Sequence, residues 1–575
     1  MRRTKIVATL GPATDGVESL SEMIRAGVDV VRLNLSHGLW DVHQKRIQMA
    51  RQAAARVGQE IGVMLDTRGP EVRLGSLARP LRLMPGDRIQ IDQESSQNDA
   101  TLTVSWNGLF DVVKPGEFLW IDDGRIIVEV ESVEAYRMTV VARNGGTVQS
   151  HKKLSRPKAG WPLDPLTEVD EECLIRGIRE EGIDFVALSF VRTVDDMFSV
   201  RRFLEQHDLE TFLIAKIENR IGMDNLEEIL RVSDGVMVAR GDLGVELPEE
   251  EVPELQKAII GAANVLGRPV VTATQMLESM VEHDRPTRAE VTDVANAIWD
   301  GSDAVMLSAE TAVGSYPVET VEMMARIAVR AEQSTIYSHK PEFHRDRIAD
   351  VVSHAAAQIA EELHARAILT PTESGYTARM VSRSRPTVPI LALSTHLKSL
   401  RQLTLFWGVL GIRMEPIEET DDMVKEAIAT TIRSGYLDQG DLVVVTAGTP
   451  YATPGTTNLV RVETIAEPIL HGQGVGGQLR AVTGPIVYLP LRNEPPDNFV
   501  AVVDGYRREW VPMLENAIAI IATDAGLSSD VAIYATGGHI PAVVGLQGIV
   551  RALPEGQYVT VDPVRGLVYR GRVKV

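Results

Sequence analysis

Eight short apolar runs, separated by stretches of helical periodicity, constrain this chain more than any other feature. They are KIVATLG (5–11), VDVVRLNLS (28–36), IGVMLDT (61–67), FVALSFV (185–191), FLIAKIE (212–218), GVMVARG (235–241), VVTATQ (270–275) and AVMLSAE (304–310). Strands alternating with helices make βαβ units and a parallel sheet. Eight units predict an α/β chain closed into a (β/α)8 barrel, whose chemistry sits at the C-terminal rim. Parallel strands are buried on both faces, so their middles read apolar. Polar residues collect at the ends of these runs: Arg32, Asn34, Ser36, Asp66 and Thr67, then Arg73, Ser189, Lys216 and Glu218, then Asp242, Thr274, Gln275, Ser308 and Glu310.

One insertion breaks the alternation. Residues 71–157 lose helical periodicity and carry short alternating runs with Gly and Asp-Gly turns. That pattern predicts a small all-β barrel domain, placed on a rim loop where it can act as a lid. The (β/α)8 barrel then comprises 1–70 and 158–344. From 345 to 470 a second α/β alternation follows: a helix over 347–364, then AILTPT, PILALS, VLGIRME, DLVVVTAG and NLVRVETI. Residues 471–575 read as a linker plus a further small α/β domain. The stretch 466–500, rich in Gly and Pro, reads as a linker with some strand structure, and MLENA reads as a helix.

At 575 residues the chain exceeds one core, and the length predicts about four domains. A net charge of −20 favours solubility and argues against non-specific nucleic-acid binding. An anionic substrate therefore needs locally clustered cations or a metal. A single cysteine, Cys173, excludes an internal disulfide framework and fits a reducing cytoplasm; it lies in a helical pattern and reads as core. No run approaches the roughly 20 apolar residues of a membrane span.

The densest chemistry lies between Ile214 and Glu246. Two successive strands end in acids, Glu218 and Asp242, with Lys216 beside them and Gly241 and Gly244 following. Two carboxylates about 4 Å apart repel by about 4 kcal/mol at an effective dielectric near 20. A cation between them relieves this, and magnesium takes one or two carboxylates plus substrate phosphate. A helix starting at Gly241 would present free N–H groups to an anion. Alone, each acid reads about equally well as a surface ion-pair residue. The loop 372–377, ThrGluSerGlyTyrThr, can hold phosphate on backbone N–H groups, but by itself reads about twice as readily as a helix cap. Gly448 to Asn458 is a second candidate wall for such a pocket.

Taken together, KIVATLGP, VRLNLSHG, DTRGPEVR, AKIEN, VARGDLGVE, TATQMLESM and DRPTRAEVTDVANAIWDGSDAVMLSAET resemble the pyruvate kinase family, in family order, from residue 1 to about 465. The resemblance implies transfer of a phosphoryl group from phosphoenolpyruvate to ADP, giving pyruvate and ATP, the last step of glycolysis. It implies Mg2+ (or Mn2+) on Glu218 and Asp242, and K+ on Asn34, Ser36, Asp66 and Thr67. Lys216 matches the lysine that neutralises the phosphoryl group in flight. Arg32 matches a phosphate contact; Gly241, Asp242 and Thr274 match the substrate carboxylate site. Asn34, His37 and Arg73 match nucleotide contacts. Ser308 and Thr274 resemble the hydroxyl end of a proton route. Glu71 matches the potassium-dependent branch. Thr372, Ser374, Gly375 and Thr377 are the candidate effector contacts, for a sugar bisphosphate, a sugar monophosphate, AMP or no ligand at all. A cytoplasmic homotetramer is the family expectation.

The chain departs from the family at Val169, where a nucleotide-contacting lysine is usual, at Ala309, and in the lid exit KKLSRPKAGWPLDP. The tail resembles the swivelling phosphohistidine domain of phosphoenolpyruvate-using enzymes, with Asp530 in the histidine's place, which implies a structural, interfacial or regulatory role. His539 lies off the motif and reads as a turn residue. Two other classes remain open: a magnesium-dependent lyase or aldolase barrel acting on enolates, and a degenerate metabolite sensor.

Overall fold

The computed structural model describes residues 2–93, 101–157, 159–334, 347–416, 420–448, 457–466, 468–476, 480–490, 497–523, 526–546 and 553–573. The chain divides into two compact units: one of 1–346, 374–385 and 396–413, the other of 347–373, 386–395 and 414–575.

In the first unit all eight apolar runs become strands of one closed parallel barrel. They are β1 (Lys5–Thr9), β2 (Val30–Asn34), β3 (Gly62–Asp66), β4 (Phe185–Leu188), β5 (Phe212–Ile217), β6 (Gly235–Ala239), β7 (Val270–Ala273) and β8 (Ala304–Leu307). Each pairs with its chain neighbour, and β8 closes on β1 with Lys5 opposite Ala304. Side chains alternate as the pleat demands. Val7, Val30, Met64, Ile214, Met237, Val271 and Met306 form one buried cluster. Ile6, Ala8, Val31, Leu33, Val63 and Leu65 belong to another, shared with the surrounding helices. The strands stop short of their sequence runs, so the polar ends fall in the rim loops. Register sets Asn34 beside Asp66.

Local signals start the helices that follow. Thr167 accepts from the Asp170 N–H, and Thr287 from the Glu290 N–H, each in a capping box that opens a helix. Cys173 is buried on the first of these, where burial pushes its thiol up to about 11, so it is core and unreactive.

The insertion forms a seven-stranded sheet with its own core around Ile91, Leu119, Val128 and Val140. A bridge between Leu74 and Val104 joins its two edges. Arg73 belongs to the lid strand Val72–Arg73, not to the end of a barrel run. Under the barrel, Phe406 stacks edge-on to Phe212, and Leu405 joins the cluster that includes Val7 and Met64.

In the second unit, strands Ile390–Ser394, Ala367–Pro371 and Leu442–Gly448 run parallel, and Thr457–Thr464 adds antiparallel. The tail is an eight-stranded sheet with a buried cluster on each face. Two readings are corrected there. Most of the described part of the stretch read as linker is sheet rather than linker: Pro468–His471, Gln473–Val475 and Val482–Tyr488 are strands. Its glycines serve close packing rather than freedom; a Cβ on Gly472 would lie 2.5 Å from the Val544 carbonyl oxygen. MLENA is not a helix of its own: a short helix, Val511–Leu514, stops before Ala517 starts a strand.

Among the described residues no helix is long and apolar enough to cross a membrane.

Candidate active site

The rim residues of β2, β3, β4 and β5 converge on one buried ammonium. Lys216 Nζ lies 2.8 Å from Asp66 Oδ1, donates to Ser189 Oγ at 2.7 Å, and stands 2.9 Å from Glu218 Oε1. Asp66 turns its other oxygen to Arg32 Nε at 2.6 Å, and Arg32 Nη1 donates to Thr9 Oγ1 at 3.0 Å. Burial opposes the charge on Lys216, but Asp66 and Glu218 outweigh it, and its pKa is raised. Burial likewise opposes the charge on Asp66, but Arg32 and Lys216 hold its pKa down. Lys216 therefore keeps its charge at neutral pH.

Glu218 is the exception. Burial pushes its carboxyl up to about 7; Lys216 resists this and Asp242 adds to it. Oε2 accepts the Phe190 N–H at 2.7 Å. Oε1 is buried with no aligned hydrogen-bond donor, so its contact with Lys216 is an ion pair alone. A buried carboxylate oxygen without a hydrogen bond, in the field of a second acid, fits a hard divalent cation held by two protein carboxylates and completed by substrate oxygens.

Asp242 sits on the helix Arg240–Glu246, which does start at the rim as its sequence implies. The Gly241 N–H is not free. It donates to Thr274 Oγ1 at 2.7 Å, and that hydroxyl donates to the Ala273 carbonyl at 2.6 Å. Thr274 has φ +69° and Gln275 φ +53°. A β-branched residue in the left-handed region is strained by about 1–3 kcal/mol and persists only where its surroundings fix it. Arg240 does the fixing: it donates to the Thr274 carbonyl at 2.7 Å while paired with Asp293 at 2.7 Å.

Just past β8, the Ser308 hydroxyl is buried without a hydrogen-bond partner, and its N–H is held by Glu310 Oε2 at 2.7 Å. The oxygen donors matched to potassium suit a monovalent ion in type. Asn34 Oδ1 accepts the Ser36 N–H at 3.1 Å, Thr67 Oγ1 accepts the Ser189 N–H at 3.0 Å, and Asp66 is fully buried. His37 and Ser36 are exposed on the same loop. Arg73 pairs with Glu71 at 2.7 Å across from the rim. A cleft of about 2020 Å³ between lid and barrel is lined by Trp120, Arg156, Gly241, Gly244 and Gln275.

Other sequence candidates make none of the contacts of this cluster. Val169 is 42% exposed at the start of its helix, with no charge to offer a nucleotide. Of the effector loop, Thr372 belongs to the second unit, where its N–H donates to the Leu393 carbonyl at 2.8 Å. Ser374, Gly375 and Thr377 belong to the first, where Gly375, at φ +76°, caps the helix Tyr376–Arg383 without any side-chain bond. In the second candidate wall, residues 449–456 lie outside the described residues. Asp530 is exposed at the first turn of the helix Asp530–Gly537, and His539 sits in a turn at φ +55°.

Sequence reasoning missed Phe190, Lys153 and Asp293. Asp293 lies in a helix of mixed polarity, and the contacts of the other two depend on a positive φ and on a contact between lid and barrel that no local pattern reveals.

The comparisons with known proteins agree with this geometry. Residues 1–321 match the family model described as pyruvate kinase, barrel domain; 350–463 match pyruvate kinase, alpha/beta domain; 495–566 match the mobile domain of PEP-utilising enzymes. The chain is 41% identical to pyruvate kinases of Bacillus licheniformis and of Geobacillus stearothermophilus, with 100% of each chain covered. Among solved structures, a pyruvate kinase from Cryptosporidium parvum superposes with a TM-score of 0.74 at 35% identity, covering 81% of this chain and 96% of its own.

Proposed function

This chain belongs to the pyruvate kinase family of phosphotransferases, and from that premise we propose how its own residues carry the reaction. Phosphoenolpyruvate binds with its carboxylate against Thr274 and the backbone at Gly241 and Asp242. Its phosphate lies toward Arg32 and Lys216, and ADP approaches from the side of Asn34, His37 and Arg73. The bond from phosphorus to the enol oxygen breaks, and a bond to the terminal phosphate oxygen of ADP forms. The remaining enolate takes one proton on carbon to give pyruvate.

Phosphoryl transfer asks a protein for positioning and spread-out positive charge rather than covalent chemistry. Lys216 and Arg32 supply fixed charge at neutral pH, and the shared Asp66 holds both in register. Glu218 and Asp242 would hold Mg2+ or Mn2+; Asn34, Ser36, Asp66 and Thr67 would hold K+. When bound, these ions neutralise the charge that gathers on the phosphate and on the enolate oxygen. The Ser308 hydroxyl, buried and free of other bonds, with Thr274, forms the protein end of the proton route.

The observation that carries the reading is the unbonded Glu218 Oε1 beside Lys216 and under the charge of Asp242. We place the enzyme in the cytoplasm as a homotetramer, with the 372–377 loop taking a phosphorylated effector. Pyruvate release from phosphoenolpyruvate, followed with a lactate dehydrogenase couple, tests the activity. Turnover that needs ADP, a divalent ion and K+ supports it; pyruvate formed equally well without ADP contradicts it.

A further inference from the structure

We propose that Lys153, where the lid returns to the barrel, is a positioning residue that sets the Glu218 carboxylate through Phe190. The inference rests on the reading that Glu218 holds the divalent ion.

Lys153 opens the lid strand Lys153–Ser155 and pairs antiparallel with Arg73. The two crossings between barrel and lid thus lie side by side. Its side chain is 15% exposed and reaches back to the barrel, with Nζ 4.2 Å from the centroid of the Phe190 ring and 4.0 Å from Glu71 Oε1. An ammonium over an aromatic face is attracted by the ring's negative face, more strongly when water is kept out. Its charge also acts on Glu246, the last residue of the helix that carries Asp242. One lid side chain therefore bears on the loop after β4 and on the helix after β6, the two elements that flank Glu218.

Phe190 has φ +56°. A bulky side chain in the left-handed region is an outlier that survives only where its surroundings over-determine it. Two contacts do so. From one side Gly69 closes on it, and a Cβ at Gly69 would meet Phe190 Cδ2 at 3.0 Å. The Lys153 ammonium stands over its ring face, 4.2 Å from the centroid. The strain has a use: it aims the Phe190 N–H at Glu218 Oε2, 2.7 Å away. That bond fixes the carboxylate so that Oε1 is presented without a hydrogen bond of its own. Without the ammonium, Phe190 loses one of its two restraints, its N–H swings off, and Glu218 is free to rotate. Lid and metal-ligand geometry are then linked through one cation–ring contact.

The test is Mn2+ binding to the metal-free full-length protein, with free Mn2+ followed by electron paramagnetic resonance, alongside the Mn2+ activation constant and thermal stability. Lys153→Met keeps the apolar stem and removes the charge; it should weaken Mn2+ binding about 3- to 10-fold. Lys153→Arg should restore it. Phe190→Leu keeps the backbone N–H but removes the ring face, so it should reproduce Lys153→Met, and the double variant should be no worse than either single. Wild-type Mn2+ affinity in Lys153→Met, equal losses in Lys153→Met and Lys153→Arg, or losses that multiply in the double variant would each overturn the proposal. If wild type binds Mn2+ and only the variants fail to respond, this inference alone falls. If wild type binds none, the assignment of Glu218 falls and takes this one with it.

Discussion

Lys216 Nζ stands 2.9 Å from Glu218 Oε1, yet the two are not aligned as donor and acceptor. The ammonium spends its hydrogen bonds on Asp66 and Ser189 instead. The acid is thus neighbour to a cation without being satisfied by it, which leaves both free for a third party.

The first consequence concerns pH. Glu218 is raised from 4.5 to about 7 by burial, with the Asp242 charge adding to it. Metal binding needs the carboxylate, so Mn2+ affinity should fall as pH drops below about 7, approaching tenfold per unit for one released proton. Titrations at pH 6 and pH 8 check this; equal affinities would count against it. In the metal-free protein the sign reverses. Between 4.5 and about 7 the folded state holds the extra proton, so this group's contribution to stability falls as pH rises through that window.

Thr274 is strained and holds the Gly241 N–H at 2.7 Å. Thr274→Ala should lower kcat/KM for phosphoenolpyruvate by about tenfold, the cost of one lost hydrogen bond to a buried polar group. Thr274→Ser should recover most of it. Steady-state kinetics of the pair decide the matter; a serine variant as poor as the alanine one would show that the hydroxyl is not what counts.

Turnover should require potassium. Asn34, Asp66 and Thr67 offer oxygen donors, and Glu71 is engaged by Arg73 rather than replaced by a fixed cation. Rates in tetramethylammonium buffer should be low and recover on adding K+. Equal rates in both buffers would remove K+ from the account.

The strands and the polar rim residues of the barrel were legible because a parallel barrel imposes a two-sided apolar pattern on each strand and leaves its C-terminal end polar. Lys216, Glu218, Asp66 and Arg32 were readable for that reason. The contacts that tune them were not. Phe190 and Thr274 owe their roles to positive φ, which tertiary packing imposes on residues whose own preferences oppose it. The tail was misread for a related reason. Glycines that look like linker punctuation are places where backbones touch; a Cβ on Gly484 would sit 2.6 Å from the Asn498 carbonyl oxygen. Close approach and flexibility leave the same letter in a sequence.

That sheet also moves the cut for a truncation. Pro468–His471 pairs with Leu567–Tyr569, and Gln473–Val475 with Ala542–Val544. A deletion from 475 onward would strand an unpaired edge, so the removal should begin at 467. With Asp530 unable to carry a phosphoryl group as an imidazole does, deleting 467–575 should leave kcat unchanged in protein that remains folded and assembled. A folded, assembled truncation with lost turnover would assign the tail a part in catalysis.

The most direct measurement is single-turnover phosphoryl transfer from phosphoenolpyruvate to ADP by wild type and Lys216→Met, with phosphoenolpyruvate binding measured in parallel. Removing one well-aimed charge from a water-poor site should slow transfer about 100- to 1000-fold while the substrate still binds. Transfer by Lys216→Met at the wild-type rate would contradict the claim that this buried ammonium steers the phosphoryl group.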